Sequence, residues 1–191
     1  AMGLVHPDKL LLNSGAKAGD VLILGKPLGV GIYSAALKRG ILEAPDYAEM
    51  IASTTRLNTP GMEGVHAATD VTGFGLLGHL SEMCRGAGVG GVIETGSVPV
   101  FAGARRLAEA GVKTGASGRN WDSVKESVRL ERALSDAELD ILCDPQTSGG
   151  LLVSCAPEAA ERVLDVFARH GHAGAAIVGR MEAAKAGVRV V

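Results

Sequence analysis

The stretch HAATDVTGFGLLGHL, residues 66–80, decides how the rest of the chain is read. Val65 to Val71 reads as a short strand, after which Leu76, Leu77, Leu80, Met83 and Cys84 recur at helical spacing until Gly86. The spacing predicts a strand running through a glycine-rich junction into an amphipathic helix, with Thr72 as its cap. Asp70 stands at that junction, beside the free backbone N–H groups with which a helix begins. Gly73, Gly75 and Gly78 leave the backbone open to close approach.

The same grammar extends in both directions. Upstream, the apolar run 20–25 closes at Gly25, and Lys26-Pro27-Leu28-Gly29 turns the chain into a helical stretch over 30–39 that ends at Gly40. Pro45 and Asp46 open a second helix with Tyr47, Met50 and Ile51 on one side, followed by a loop over 58–64. Downstream, Val92-Ile93 is a brief strand, 101–110 a helix stopped by Gly111, and 112–123 an aperiodic stretch. Ser135-Asp136-Ala137-Glu138 is a capping box, which starts a helix ending near Cys143. Asp144-Pro145 then forces extended backbone, so DPQTSGG (144–150) is a loop. Leu151 to Cys155 is a buried strand, Pro157 opens a helix closed by Gly171, and 176–181 and 187–191 finish as strands. The fold class expected is α/β (α+β), a layered mixed sheet with packed helices, in a single domain over residues 1–191. The opening residues lead into the chain with no capped element of their own, as expected for the later part of a longer protein.

Composition narrows the function. Apolar residues make up 47% and charged residues 21%, ordinary for a folded domain, whereas 27 glycines imply many tight turns. One Trp, two Tyr and three Phe offer little for stacking bases, and a formal charge of −2 gives no general pull on polyanions, so nucleic acid is not the expected partner. A phosphate ligand would be small and held by a local site. No run reaches the length that spans a bilayer, and no secretory signal opens the chain, which sets a cytoplasmic expectation. Cys84, Cys143 and Cys155 are odd in number and sit among apolar neighbours, as reduced packing thiols do.

Two readings of Asp70 stay open on the residues alone. Its carboxylate suits Mg²⁺, which takes one or two protein carboxylates and fills its other positions with phosphate oxygens and water. Alternatively it caps the helix, with the glycines serving close packing. The loop 144–150 offers hydroxyls, an amide and free backbone, which fit an anion cradle or a tight turn, and no catalytic role is assigned to Asp144, Thr147 or Ser148. His66 with Asp70, and His79 with Glu82, build only a weak metal-hydrolase set, since a catalytic zinc wants three protein ligands. Gly25-Lys26-Pro27 lacks the spacing of a phosphate loop. Arg105, Arg106, Arg119, Asn120 and Arg129 are possible phosphate contacts, though exposed arginines are usually solvated.

Taken together, Gly19–Leu24 with Lys26–Gly29, Ala68–His79, Arg119-Asn120-Trp121 and Asp144–Leu152 resemble selenophosphate synthetases (selenide, water dikinases), in order and approximate spacing over nearly the whole chain. Relatives of the same architecture, such as aminoimidazole ribonucleotide synthetase and thiamine-monophosphate kinase, do not carry the 144–150 stretch. The resemblance implies an enzyme that converts ATP, selenide and water to selenophosphate, AMP and phosphate with Mg²⁺. It implies that Asp70 contacts the metal on the ATP phosphates and that Thr72, Gly73 and Gly75 lie at the nucleotide. It places the catalytic Cys or selenocysteine, its Lys and the homodimer contact in an N-terminal domain that this chain lacks, so no catalytic nucleophile is expected here and the fragment alone is expected to be inactive. The alternatives are a non-catalytic nucleotide-, metal- or protein-binding module, or a related synthetase or kinase with another acceptor.

Overall fold

The computed structural model describes residues 4–7, 10–58 and 64–191; part of the expected 58–64 loop lies outside them. Seven strands, β1 (Val21–Leu24), β2 (Val65–Asp70), β3 (Gly90–Ile93), β4 (Val128–Leu130), β5 (Leu151–Cys155), β6 (Ala176–Glu182) and β7 (Gly187–Val190), form one mixed sheet in the order β2-β5-β1-β6-β3-β7-β4. The helices are α1 (Val30–Lys38), α2 (Ala44–Thr55), α3 (Gly75–Ala87), α4 (Ala102–Glu109), α5 (Gly115–Val124), α6 (Asp136–Leu142) and α7 (Ala160–Arg169). β1 runs antiparallel to β5 and β6, whereas β7 pairs in parallel with β3 and β4.

The continuous apolar run in β1 follows from its central place. Leu22 and Leu24 join the large core beneath α1, α3, α4, α5 and α6, and Ile23 joins a smaller core with Val153, Val163 and Phe167 beneath α7. All three are fully buried, which contributes about 1.5–3 kcal/mol apiece. The result is three layers, with helices on both faces of the sheet.

Several expectations change. Residues 112–123 are not a loop: Thr114 caps α5, accepting from the N–H groups of Ala116 and Ser117. The inward positions of α5 are Ser117, Asn120 and Val124, two of them polar, so the helical period is invisible in hydropathy. β4 is only three residues long and carries Arg129 outward. Gly86 does not stop α3, which runs to Ala87 and ends at Gly88 in the left-handed region. Thr72 is not its cap, since the N-cap is Phe74, with no side-chain hydrogen bond. Of Tyr47, Met50 and Ile51, only Met50 is buried. The three cysteines are buried and free, as expected.

Candidate functional site

Asp70 is the last residue of β2, an edge strand of the sheet, and its side chain is exposed. The carboxylate makes no hydrogen bond or ion pair with a described residue, so it is neither a helix cap nor part of the interior. It borders an open depression of about 510 Å³ shared with Leu12, Asn13 and Asn58. Leu12, Leu57 and Phe74 are exposed apolar side chains nearby in sequence or along this wall.

From Asp70 the chain enters the junction that sequence singled out. Thr72 is half-buried, and its hydroxyl lies 3.2 Å from His79 Nε2. His79 is buried, and its Nδ1 has no hydrogen-bond partner, with Glu82 Oε2 4.0 Å away. Burial lowers the His79 pKa against the opposing pull of the Asp70 and Glu82 charges, so the ring is neutral. A buried N–H without an acceptor costs more than a lone pair without a donor. The tautomer is therefore assigned as Nε2–H, donating to Thr72 Oγ1. That leaves the Thr72 hydroxyl proton free to be donated outward.

The second motif turns the other way. Asp144 is fully buried and Gln146 is 5% exposed. Helix α1 begins at Gly29 with no local side-chain cap, and the four N–H groups it leaves over are met across the fold. Gln146 Oε1 accepts from Gly29 and Val30, both at 3.2 Å, and Asp144 Oδ2 accepts from Gly31 at 2.9 Å and Ile32 at 3.3 Å. Gln146 Nε2 donates to the same Oδ2 at 2.9 Å. Oδ1 has no partner, and burial pushes the carboxyl up to about 7 against the hydrogen bonds that lower it. Asp144 and Gln146 are thus a remote cap for α1, which answers the choice between anion cradle and turn for these two side chains.

The two motifs are stitched together through backbone. Gln146 N–H donates to Thr72 O, Val71 N–H to Gly150 O, and the Asn120 amide to both Gly73 O and Cys143 O. Asn120, a possible phosphate contact in the sequence, forms this bridge. Gly75 sits at φ +69° with the backbone of Cys143 2.6 Å from where a Cβ would stand, so only glycine fits. Gly73 faces open space. Of the residues expected at a nucleotide, Thr72 and Gly73 are accessible, whereas Gly75 is buried and shapes the turn.

Three further side chains, His66, Lys26 and His172, have structural partners. His66 Nδ1 lies 2.9 Å from Asp20 rather than against Asp70, and Asp20 also accepts from Ser154 at 2.5 Å. Lys26 Nζ donates to the carbonyls of Ser53, Arg56 and Ser148, closing the carboxyl end of α2 onto the second motif. His172 Nε2 lies 3.1 Å from Leu57 O. Burial raises the thiols of Cys84 and Cys155 to about 11 and of Cys143 to about 12, so none is a thiolate near neutrality. Among the described residues no set of three His, Cys, Asp or Glu side chains is placed to hold a metal ion, and no helix is long and apolar enough to cross a membrane.

Residues 17–191 match the family model for AIR synthase related protein, C-terminal domain. The chain is 53% identical to the selenide, water dikinase of Dechloromonas aromatica, covering all of this chain and 56% of that protein. It is 55% identical to the selenide, water dikinase of Pseudomonas straminea, covering 95% of this chain and 52% of that protein. It spans about half the length of these curated relatives. Among solved structures it superposes on the hydrogenase maturation protein HypE in complex with ATP (TM-score 0.69, 17% identity, 97% of this chain and 51% of that one). It also superposes on thiamine-monophosphate kinase from Stenotrophomonas maltophilia (TM-score 0.64, 20% identity, 97% and 54%). At these identities the two structures establish the fold.

Proposed function

The chain belongs to the AIR synthase related protein, C-terminal domain family, and from that premise we propose that it forms this domain of an ATP-dependent selenophosphate synthetase. The whole enzyme would convert ATP, selenide and water to selenophosphate, AMP and phosphate. The identity of more than half over the full chain to proteins named selenide, water dikinase supports the reaction class. The observation that carries the site is Asp70, an exposed carboxylate with no hydrogen-bond or ion-pair partner among the described residues, at the end of an edge strand and bordering an open depression.

A single carboxylate fits Mg²⁺ only as a shared ion, because magnesium accepts one or two protein carboxylates and completes its shell with phosphate and water. The bound ion would neutralise charge on the phosphates. Asp70 would hold and orient it, while the free hydroxyl proton of Thr72 and the open backbone at Gly73 would meet phosphate oxygens. Phosphoryl transfer depends on positioning and on several neutralising groups at once. Asp70 is the one such carboxylate at this surface among the described residues, so the other ligands and the nucleophile would come from the remaining length that the relatives possess. The exposed Leu12 in the same depression suits a face that another domain covers, and a homodimer would form through that domain.

The test is Asp70→Asn in the full-length enzyme. Loss of ATP consumption with unchanged melting is expected; near-normal turnover would remove Asp70 from the site. The 191-residue chain titrated with ATP and Mg²⁺ should bind weakly or undetectably, and submicromolar affinity would favour a self-sufficient nucleotide-binding module instead.

A further inference from the structure

A second concavity opens beside the glycine-rich junction, at Gly73. It has a volume of about 560 Å³ and is walled by the carboxyl end of α1, the 113–115 turn and both motif loops. Lys38, Arg39 and Lys113 line it together with Gly73, Gln146 and Thr147, and no aspartate or glutamate among the described residues does. That bias runs against the chain as a whole, in which 21 acidic residues outnumber 19 basic ones. Lys113 is paired with Asp140 at 3.1 Å, whereas Lys38 and Arg39 have no side-chain partner among the described residues.

A cation at the end of α1 is what the helix dipole favours, and that alone explains Lys38. It does not cover the hollow as a whole, to which Arg39 and, while paired with Asp140, Lys113 also contribute. Lys38 and Arg39, without a side-chain partner among the described residues, and Lys113, partly neutralised by Asp140, raise the potential of a concavity with low-dielectric walls, and an anion relieves it. Thr147 is exposed and adds a hydroxyl with no partner among the described residues, and Gly73 adds unobstructed backbone. The volume falls within the range of small-ligand sites.

We propose that this cavity binds a phosphate-bearing small molecule, with the oxyanion held by Lys38, Arg39 and Lys113 and contacted by the Thr147 hydroxyl. Its lining shares no residue with that of the depression at Asp70, and Gly73 of the junction is the one position that also enters the phosphate contacts proposed for Asp70. It stands whether or not Asp70 carries a metal.

The experiment is an amide NMR titration of the 191-residue chain in magnesium-free buffer with inorganic phosphate, pyrophosphate and AMP as separate probes. Saturable shifts are expected at Gly115 and Thr147, weakening as salt rises. Lys38→Ala combined with Arg39→Ala should lower affinity at least tenfold, whereas the equal-charge control Arg105→Ala with Lys125→Ala should leave it within twofold; thermal melts verify that both fold. Tighter binding of AMP than of the inorganic probes identifies a nucleotide as the occupant, and equal binding identifies the phosphate group alone. Shifts that fail to saturate, or equal loss in the two double variants, would overturn the proposal.

Discussion

Asp144→Asn isolates a charge that the fold holds at a cost. The carboxyl titrates near 7 in the folded chain, against an ordinary value of 3.8, because burial outweighs the donors that favour its ionised form. The sign follows from linkage: a raised folded pKa means that the stability tied to the neutral form is complete below the unfolded value and is lost as pH rises through the folded one. Below about pH 4 the group is neutral in both states. Between there and about pH 7 the unfolded chain ionises and the folded chain does not, so stability falls by about 1.4 kcal/mol per pH unit.

The proton sits on Oδ1, because Oδ2 accepts from Gly31, Ile32 and Gln146. Asparagine keeps an acceptor at the Oδ2 position and cannot ionise. From about pH 5 to about pH 8.5 the stability of the variant relative to the parent should therefore rise by about 3 kcal/mol. Urea unfolding of both chains at several pH values measures it, and the slope is the test, since a constant offset from the altered amide is unrelated to titration. A difference that stays flat across this range would refute the assignment of a largely neutral, desolvated carboxyl.

Gln146→Ala strips the acceptor from Gly29 and Val30, two buried donors, and should cost about 2–4 kcal/mol in urea unfolding; a loss under 0.5 kcal/mol would mean water replaces it. Gly75→Ala places a methyl on the Cys143 backbone at a left-handed φ and should cost about 2–5 kcal/mol, read as a fall in Tm. Long-range proton–nitrogen NMR of the His79 ring at neutral pH should show the Nε2–H tautomer, and an Nδ1–H signal would reverse the assigned direction of the Thr72 hydrogen bond.

Sequence exposed the fold wherever burial wrote a period into it. The β1 run, the α3 spacing and the Ser135 capping box all appear as read, because each is a local pattern that the structure uses locally. α5 escaped because its inward face is built from Ser117 and Asn120, chosen for a hydrogen-bonding task and small size rather than hydropathy. β4 escaped because three residues on a sheet edge carry no period. Asp70 was legible as a junction carboxylate, but its exposure was not: that depends on β2 lying at the sheet edge, which is a matter of strand order. The role of Asp144 and Gln146 was least visible, since their partners lie 112 to 117 residues upstream.

That long reach changes how the two motifs are weighed. Both are acidic and glycine-flanked, and either alone looks like an anion site. In the folded chain their side chains point in opposite senses. Asp144 and Gln146 spend their acceptors on α1, and the backbone of the same loop holds Val71 and Thr72 in place. Asp70 and the Thr72 hydroxyl proton spend nothing on the fold. A carboxylate needs freedom from protein partners to share a metal with a ligand, and it needs a rigid support so that the shared geometry costs little to form. The second motif supplies the support, and the first supplies the free groups. Substitutions at Asp144 and Gln146 should therefore act through stability, and those at Asp70 through chemistry with the fold untouched.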